Sequence, residues 1–101
     1  LESRIISLEM EKIKLNAKKL KGINFYKGSM ENELIMKFVK NFNEENSILF
    51  IFGNNLGIIV DNTGLKILQK LNLKGKINKN MMIIENFDPE KVEKEIESAL
   101  L

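Results

Sequence analysis

The stretch that decides the fold is SILFIFGNNLGIIVD, residues 47–61. Residues 47–52 are apolar almost throughout, which predicts a strand covered on both faces. Residues 53–55, Gly-Asn-Asn, are typical of a tight turn, and residues 56–61 can return beside the first strand as a hairpin. A hairpin with buried faces needs helices packed on it, so this stretch predicts the centre of an α/β domain.

Upstream of this hairpin, the pattern predicts a strand–helix unit preceded by a long helix. Residues 1–21 contain no Gly or Pro and are predicted to form one helix that Gly22 ends. Residues 23–27 are predicted as a strand, and Ser29 as the N-cap of a helix that runs to about residue 43. The chain therefore divides into a helical dimerisation or linker segment, residues 1–21, and a small α/β globular domain, residues 22–101.

Downstream of the hairpin, the pattern predicts a short helix, a loop, a strand and a last helix. The short helix covers about residues 64–72, and a polar loop follows at residues 73–80. Residues 81–84 are predicted as a strand, and Asp88-Pro89 is a strong start signal for the final helix. The predicted fold class is α/β: a long N-terminal helix, then a small mixed β-sheet of about four strands in the order β-α-β-β-α-β-α, with packed helices.

The first predicted helix carries apolar residues on two nearly opposite sides. Its main stripe repeats in alternating four- and three-residue steps and consists of Ile6, Met10, Ile13, Ala17 and Leu20. The second stripe consists of Leu1, Ile5, Leu8 and Leu15. A helix packed only on its own domain needs one apolar face, so one stripe is expected to contact the globular part or a neighbouring helix, and the other a partner. The main stripe is the predicted homodimer seam.

The composition excludes several classes of function. The 101 residues include no cysteine and no histidine, which excludes disulfides, Cys/His zinc sites and thiol or imidazole chemistry in this chain. Glu93 and Glu97 share a predicted helix face, but neighbouring lysines favour a solvated, salt-bridged surface. Asp61 ends a strand where α/β folds often place a catalytic acid, yet Thr63 is the only nucleophilic residue beside it, so capping is the better interpretation. We expect no catalytic residue, no metal and no cofactor in this chain.

The sequence gives no indication of a membrane protein. No apolar run approaches the roughly 18 residues that a membrane-spanning helix needs. The first residues are charged and helix-like, and they do not resemble a signal peptide. We expect a cytoplasmic protein, and we expect the chain to be a fragment of a longer one that continues upstream of Leu1.

Positive charge is concentrated in two blocks, although the net charge is only +2. Residues 12–30 contain six lysines and residues 62–84 contain five, and neither block contains an acid. Such segregation is typical of a local phosphate-binding surface, while the alternative is that lysine-rich loops only keep the fold soluble. The predicted nucleic-acid-binding residues are Lys18, Lys21, Lys66, Lys70, Lys74, Gly75, Lys76 and Lys79.

Two segments of the second block could hold a phosphate. Asn62-Thr63-Gly64 opens a predicted helix, where exposed N–H groups favour anions, although an ordinary cap and turn is the simpler interpretation. Residues 74–80 form a predicted flexible loop of three lysines, one glycine, two asparagines and one isoleucine that can contact phosphates as point charges; the alternative is an exposed connector. Tyr26 is the one aromatic residue considered for base stacking, although core packing is commoner for such residues.

The order of these elements resembles the C-terminal region of alanyl-tRNA synthetases and of the longer AlaX-type alanyl-tRNA editing proteins. The resemblance spans essentially the whole chain. Residues 1–20 correspond to the coiled-coil helix, Lys21-Gly22-Ile23-Asn24-Phe25 to the junction, and Asp88-Pro89-Glu90-Lys91-Val92-Glu93 to the start of the last helix. One departure lies in the loop before the last helix, where the family usually carries a run of glycines and this chain has only Gly75.

The resemblance implies a tRNA-binding and dimerising accessory module without catalysis of its own. The globular part would bind the outer corner of tRNA, and the helix would form a homodimer. Zinc and ATP would belong to upstream domains of an alanine-tRNA ligase or an alanyl-tRNA deacylase. One alternative is a pure homo-oligomerisation module that has lost RNA binding together with the glycine run. Another is an accessory domain of a DHH-type phosphoesterase, since the same globular unit accompanies those enzymes.

Overall fold

The computed structural model describes residues 2–101, and the side chains of all of these except residues 2, 3 and 5–7. This part of the chain forms three α-helices, one short 3₁₀-helix and six strands. In chain order they are α1 Glu2–Leu15, β1 Lys18–Leu20, β2 Ile23–Ser29, α2 Asn32–Asn41, β3 Ser47–Phe52, β4 Leu56–Asp61, the 3₁₀-helix Ile67–Lys70, β5 Gly75–Asn78, β6 Met81–Glu85 and α3 Pro89–Leu100. None of the described helices is long and apolar enough to cross a membrane.

The six strands form one mixed sheet with the order β1-β2-β3-β4-β6-β5. β2 and β3 are parallel, because the chain crosses between them through α2, and every other neighbouring pair is antiparallel. The predicted central hairpin is confirmed, with Ile48 opposite Asp61 and Phe52 opposite Gly57. β3 and β4 lie in the middle of the sheet, where helices on both sides cover their apolar side chains.

Two apolar cores lie on the two faces of the sheet. On one face, α3 and the 3₁₀-helix cover a core that includes Phe25, Phe50, Ile59, Leu68, Met82 and Ile96. On the other face, α1 and α2 cover a core that includes Ile13, Tyr26, Phe38, Leu49, Ile51 and Ile58. The domain is therefore a three-layer sandwich, and the apolar strand residues 48–51 are fully buried between the layers.

The predicted long helix over residues 1–21 is wrong. α1 ends at Leu15, and residues 18–20 form strand β1, which pairs antiparallel with β2. Lys21 and Gly22 join these strands with φ values of 50° and 82°. Two positive φ values in succession are what a type I′ hairpin turn requires, and glycine adopts them without a steric penalty. Gly22 therefore closes a hairpin instead of ending a helix.

The predicted sheet of about four strands is also wrong, since the sheet has six. Apart from β1, the extra strand is β5, which occupies part of the segment predicted as a loop. β5 lies at the edge of the sheet with only β6 beside it, and all four of its residues are exposed. An exposed strand lacks the apolar alternation that marks a half-buried one, so its sequence looks like a polar loop.

Three helix boundaries also bear on the predictions. The helix predicted over residues 64–72 is only the 3₁₀-helix Ile67–Lys70. The helix predicted from Ser29 begins at Asn32, because β2 continues to Ser29. The predicted start of the last helix is confirmed: Pro89 is its first residue, and the Asp88 carboxylate accepts a hydrogen bond from the Glu90 N–H at 3.1 Å.

Candidate nucleic-acid interface

The two lysine-rich blocks of the sequence lie at opposite edges of the sheet. Lys18 and Lys21 belong to the β1 edge, whereas Lys74, Lys76 and Lys79 lie on β5 or directly beside it. Lys66 lines a pocket together with Ile77 of β5, and Lys70 is the last residue of the 3₁₀-helix. Neighbouring strands are about 4.8 Å apart, so five spacings separate these edges by roughly 24 Å. The structure therefore does not bring Lys18 and Lys21 together with the other predicted nucleic-acid-binding residues.

Glutamates of α3 neutralise the lysines beside the β1 edge. Lys18 Nζ lies 3.0 Å from a carboxylate oxygen of Glu93 and 3.3 Å from one of Glu97, and Lys27 Nζ lies 2.6 Å from the other oxygen of Glu93. The hydrogen bond from Lys27, and after it that from Lys18, lowers the pKa of Glu93, although burial opposes this shift. The hydrogen bonds to Glu93 and Glu97 raise the pKa of Lys18. The four charges form one network on the surface.

Two further lysines of the first block also have partners. Lys14 Nζ lies 2.5 Å from a carboxylate oxygen of Glu44, and this hydrogen bond raises the pKa of Lys14. Lys21 Nζ donates to the main-chain carbonyl oxygen of Leu101 at 2.5 Å. Much of the positive charge of the first block is thus matched within the domain.

The lysines of the second block, unlike most of those of the first, have no ion-pair partners among the described residues. All five are exposed; they are Lys66, Lys70, Lys74, Lys76 and Lys79. Two glutamates lie nearby: Glu85 ends β6, and Glu95 accepts a hydrogen bond from the Asn72 N–H at 3.3 Å. The β5 edge therefore carries an excess of unmatched positive charge.

Strand geometry distributes these lysines around the edge. Ile77 lies opposite Met82, which is buried in the core under α3, so Ile77 faces that side of the sheet. Lys76 lies opposite Ile83, which packs against the core under α1 and α2, so Lys76 faces the other side. A ligand that wraps around the β5 edge can contact both faces of the sheet at once, whereas a flat ligand would contact only one face.

Gly75 has a packing role that the flexible-loop interpretation missed. A Cβ atom at this position would lie 2.7 Å from the carbonyl oxygen of Ile83 and 2.7 Å from a side-chain carbon of Ile84. Contacts this short do not occur between real Cβ atoms and their neighbours, so β5 can approach β6 here only with glycine. Gly75 thereby fixes the position of the lysines on either side of it.

Lys66 and Lys79 lie at one surface pocket on the α3 side of the β5 edge. The pocket has a volume of about 260 Å³, and its lining includes Lys66, Leu68, Gln69, Ile77, Lys79 and Asn80. Lys66 has a φ of 55° and Lys79 a φ of 56°. Positive φ is uncommon for residues other than glycine and is frequent at binding sites, so both lysines are held beside this pocket at a conformational cost.

The buried carboxylate of Asp61 organises the wall of the same pocket. One of its oxygens accepts hydrogen bonds from the Thr63 N–H at 2.8 Å and the Thr63 hydroxyl at 2.5 Å, and the other accepts the Ile67 N–H at 2.8 Å. The Asp61 N–H donates to the Asn80 carbonyl at 2.8 Å. Asp61 thus acts as a cap that ties residues 63–67 to the β5–β6 turn.

The predicted anion site at Asn62-Thr63-Gly64 is not formed in the expected way. No α-helix follows it, and the Ile67 N–H that begins the 3₁₀-helix is already bonded to Asp61. Tyr26, considered for base stacking, is 7% exposed and packs edge-on against Phe42, with ring centroids 5.7 Å apart. Tyr26 therefore presents no surface to RNA, whereas Gly64 is exposed and lines the pocket beside Lys66 and Lys79.

The predicted dimer seam faces mostly into its own domain. Ile13 is 4% exposed and belongs to the core under α1 and α2, against which Met10 and Ala17 also pack. Leu20 lies on β1 and packs against the core on the opposite face of the sheet, under α3. Ile6 lies outside the described side chains, as do Leu1 and Ile5. Among the described side chains of α1, the exposed large apolar ones belong to the second stripe instead, since Leu8 is 50% and Leu15 85% exposed.

A larger hollow, of about 660 Å³, lies at the carboxyl ends of β2 and β3. Its lining includes the acids Glu31 and Glu33 and no lysine. The Asn32 side-chain oxygen accepts the Asn54 N–H there at 3.2 Å. This hollow is unsuited to phosphate, and the described residues contain no group of three or more acidic side chains that could hold a metal ion.

Comparisons with known proteins do not place this chain in a family. No protein-family model, curated protein or solved structure matches it. The unmatched charges and the pocket at the β5 edge are therefore the features that point to a function.

Proposed function

We propose that this chain is an RNA-binding accessory module without catalysis of its own, and that it contacts tRNA through the lysines of the β5 edge. The observation that carries the proposal is the contrast between the two sheet edges: glutamates match Lys18 and Lys27 near β1, whereas no described residue pairs with the five lysines near β5. Unmatched lysines attract a phosphate backbone irrespective of its base sequence. The resemblance to the C-terminal region of alanyl-tRNA synthetases and editing proteins supports tRNA as the ligand and the cytoplasm as the location.

The proposal is tested by measuring the affinity of the full chain for a tRNA transcript over a range of salt concentrations. The test variant carries Lys70→Ala, Lys74→Ala and Lys76→Ala, which removes three charges outside the pocket. Each lost phosphate contact reduces the steepness of log affinity against log salt by about 0.7 to 0.9, so the variant should lose roughly 2 to 3 units of slope. Fluorescence anisotropy with labelled tRNA gives both the affinity and the slope.

The matched control carries Lys19→Ala, Lys40→Ala and Lys94→Ala, which makes the same change in net charge away from the β5 edge. We expect it to retain most of the wild-type slope, because its phosphate contacts remain. Equal losses in the two triple variants would show that only overall charge matters. The absence of tRNA binding by the wild-type chain at low salt would reject the proposal.

We propose self-association through α1 as a second function, favoured by the exposure of Leu8 and Leu15. These leucines are seven residues apart, which places them on one side of the helix and directs them away from the sheet. Analytical ultracentrifugation of a Leu8→Ser, Leu15→Ser variant against the wild type tests this. A wild-type dimer that the double substitution converts to a monomer would support the proposal, and a wild-type monomer at the highest soluble concentration would reject it.

A further inference from the structure

The pocket beside Lys66 and Lys79 has apolar side chains in its lining, which contacts to the phosphate backbone of RNA alone would not require. Leu68 and Ile77 form apolar parts of its wall. Leu68 is 4% exposed, while Ile77 is 48% exposed although it faces the side of the sheet that α3 covers. A phosphate alone gains nothing from apolar walls, whereas a nucleobase has two apolar faces to bury. The volume of about 260 Å³ is slightly below the roughly 300–1,000 Å³ of pockets for drug-sized ligands. The pocket therefore suits a small, partly apolar ligand.

Two amide side chains supply polar groups at the same pocket. Asn80 donates its Nδ2 to the Asn62 side-chain oxygen at 2.8 Å, which orients its own Oδ1 as the remaining acceptor. Gln69 also lines the pocket, and its side-chain amide makes no hydrogen bond with any described residue. An amide offers one acceptor and two donors, which is the pattern that pairs with the edge of a base, most favourably adenine.

The two lysines stand beside these groups, and Asp61 fixes the backbone on which they are placed. Three donors hold the Asp61 carboxylate in the wall of the pocket, although they do not cancel its charge. Lys66 and Lys79 together exceed its single negative charge. Base-binding groups and phosphate-binding groups therefore meet in one pocket.

We infer that this pocket binds one unpaired nucleotide of RNA, with the base between Leu68 and Ile77, its edge at Gln69 and Asn80, and its phosphate at Lys66 and Lys79. This inference deepens the proposed RNA contact by adding a nucleotide-sized site to a backbone-binding edge. The walls are aliphatic rather than aromatic, so the site holds a splayed-out base by burial and hydrogen bonds rather than by ring stacking. An unpaired base, and not a duplex, is the form that fits such a pocket.

The test uses the full chain, labelled with ¹⁵N, and titrates it with AMP and with ribose 5-phosphate. We expect AMP to shift the amide signals of residues 66–69 and 77–80 and to bind about tenfold more tightly than ribose 5-phosphate, the gain expected from one pair of hydrogen bonds plus base burial. Gln69→Ala and Ile77→Ala should each remove much of this preference and leave ribose 5-phosphate binding unchanged. Both substitutions are at partly or fully exposed side chains, so the fold tolerates them.

The outcomes separate this inference from the proposed function. Equal affinities for AMP and ribose 5-phosphate, or signal shifts that map outside the pocket, would overturn the nucleotide site even if tRNA binding persists at the β5 edge. A preference for AMP that Gln69→Ala abolishes would support the site even if tRNA does not bind. A preference that Gln69→Ala and Ile77→Ala both leave intact would also overturn it, because the base would then contact other residues.

Discussion

Replacing Lys79 by glycine should stabilise the fold while weakening binding. Lys79 is the first of two turn residues between β5 and β6 and has a φ of 56°, a value that glycine adopts freely. A left-handed conformation costs another residue about 1–2 kcal/mol, and glycine loses about 0.5–1 kcal/mol more backbone entropy on folding. The difference predicts a gain of roughly 0.5–1 kcal/mol for Lys79→Gly. In a domain of this size, that gain raises Tm by several degrees, since 1 kcal/mol corresponds to about 4–8 °C.

Lys74→Gly is the matched control for this substitution. Lys74 is exposed and its φ is not positive, so its replacement removes the same charge without relieving strain and should cost about 0.5–1 kcal/mol. Urea unfolding measures both free energies, and the AMP titration measures binding. Lys79→Gly should weaken AMP binding, whereas Lys74→Gly should not. If the two variants change stability by the same amount, positive φ at Lys79 carries no strain and the reasoning is wrong.

Three further predictions concern packing, capping and charge. Gly57→Ala should cost about 1–3 kcal/mol in urea unfolding, because its Cβ would lie 2.8 Å from the Phe87 ring; an unchanged midpoint would show that the ring can move. Asp61→Asn should cost about 1.5–3 kcal/mol through the loss of a charged acceptor for three donors, and should also weaken AMP binding; unchanged stability and binding would contradict the assigned capping role. Glu93→Gln should reduce the acid sensitivity of stability: the pKa of Glu93 lies below its ordinary value of 4.5, so its ion pairs stabilise the fold above that value and are lost as the pH falls through the lower, folded pKa. Unfolding midpoints measured from neutral to acidic pH check this, with Glu90→Gln as the control. An equal loss of stability at acidic pH in both variants would disprove it.

The central part of the fold could be predicted because burial leaves a clear pattern. β3 and β4 are buried on both faces, so an uninterrupted apolar sequence marks them, and the Gly-Asn-Asn turn between them separates one from the other. The start of α3 could be predicted because Asp88 and Pro89 act through local chemistry that no distant contact alters. These elements depend on the residues within them.

The edges of the sheet could not be predicted for the opposite reason. β1 is a three-residue strand that exists because β2 pairs with it, and its lysine-rich sequence continues the charge pattern of the preceding helix. Gly22 is equally suited to ending a helix and to closing a hairpin, and only the pairing partner decides between them. β5 gains its conformation from β6 in the same way. Its fully exposed residues give no alternation to detect.

Only some of the site residues could be predicted from the sequence. The lysines of residues 66–79 could be proposed from the local absence of acids, and the structure places four of them on β5, directly beside it or at the pocket next to it. Lys18 and Lys21 are close in sequence to other lysines but are matched by partners about seventy-five residues or more away, which no local pattern reveals. Gln69 and Ile77 were missed because an isolated amide and an isolated isoleucine become informative only when the fold places them at one pocket.

Protection of the sheet edge is the competing explanation for the β5 lysines. Charged residues, lysine above all, on an exposed edge strand prevent pairing with another sheet, and Lys76 is in a position to act in this way. That explanation does not extend to Lys66, which is the N-cap of the 3₁₀-helix, or to Lys70, which is its last residue, because neither lies on the strand. Edge protection also does not explain the positive φ of Lys79, because a glycine at this turn position would leave strand β5 equally short. Lys66 and Lys79 lie off the strand and line the pocket, so they are the lysines that favour a ligand.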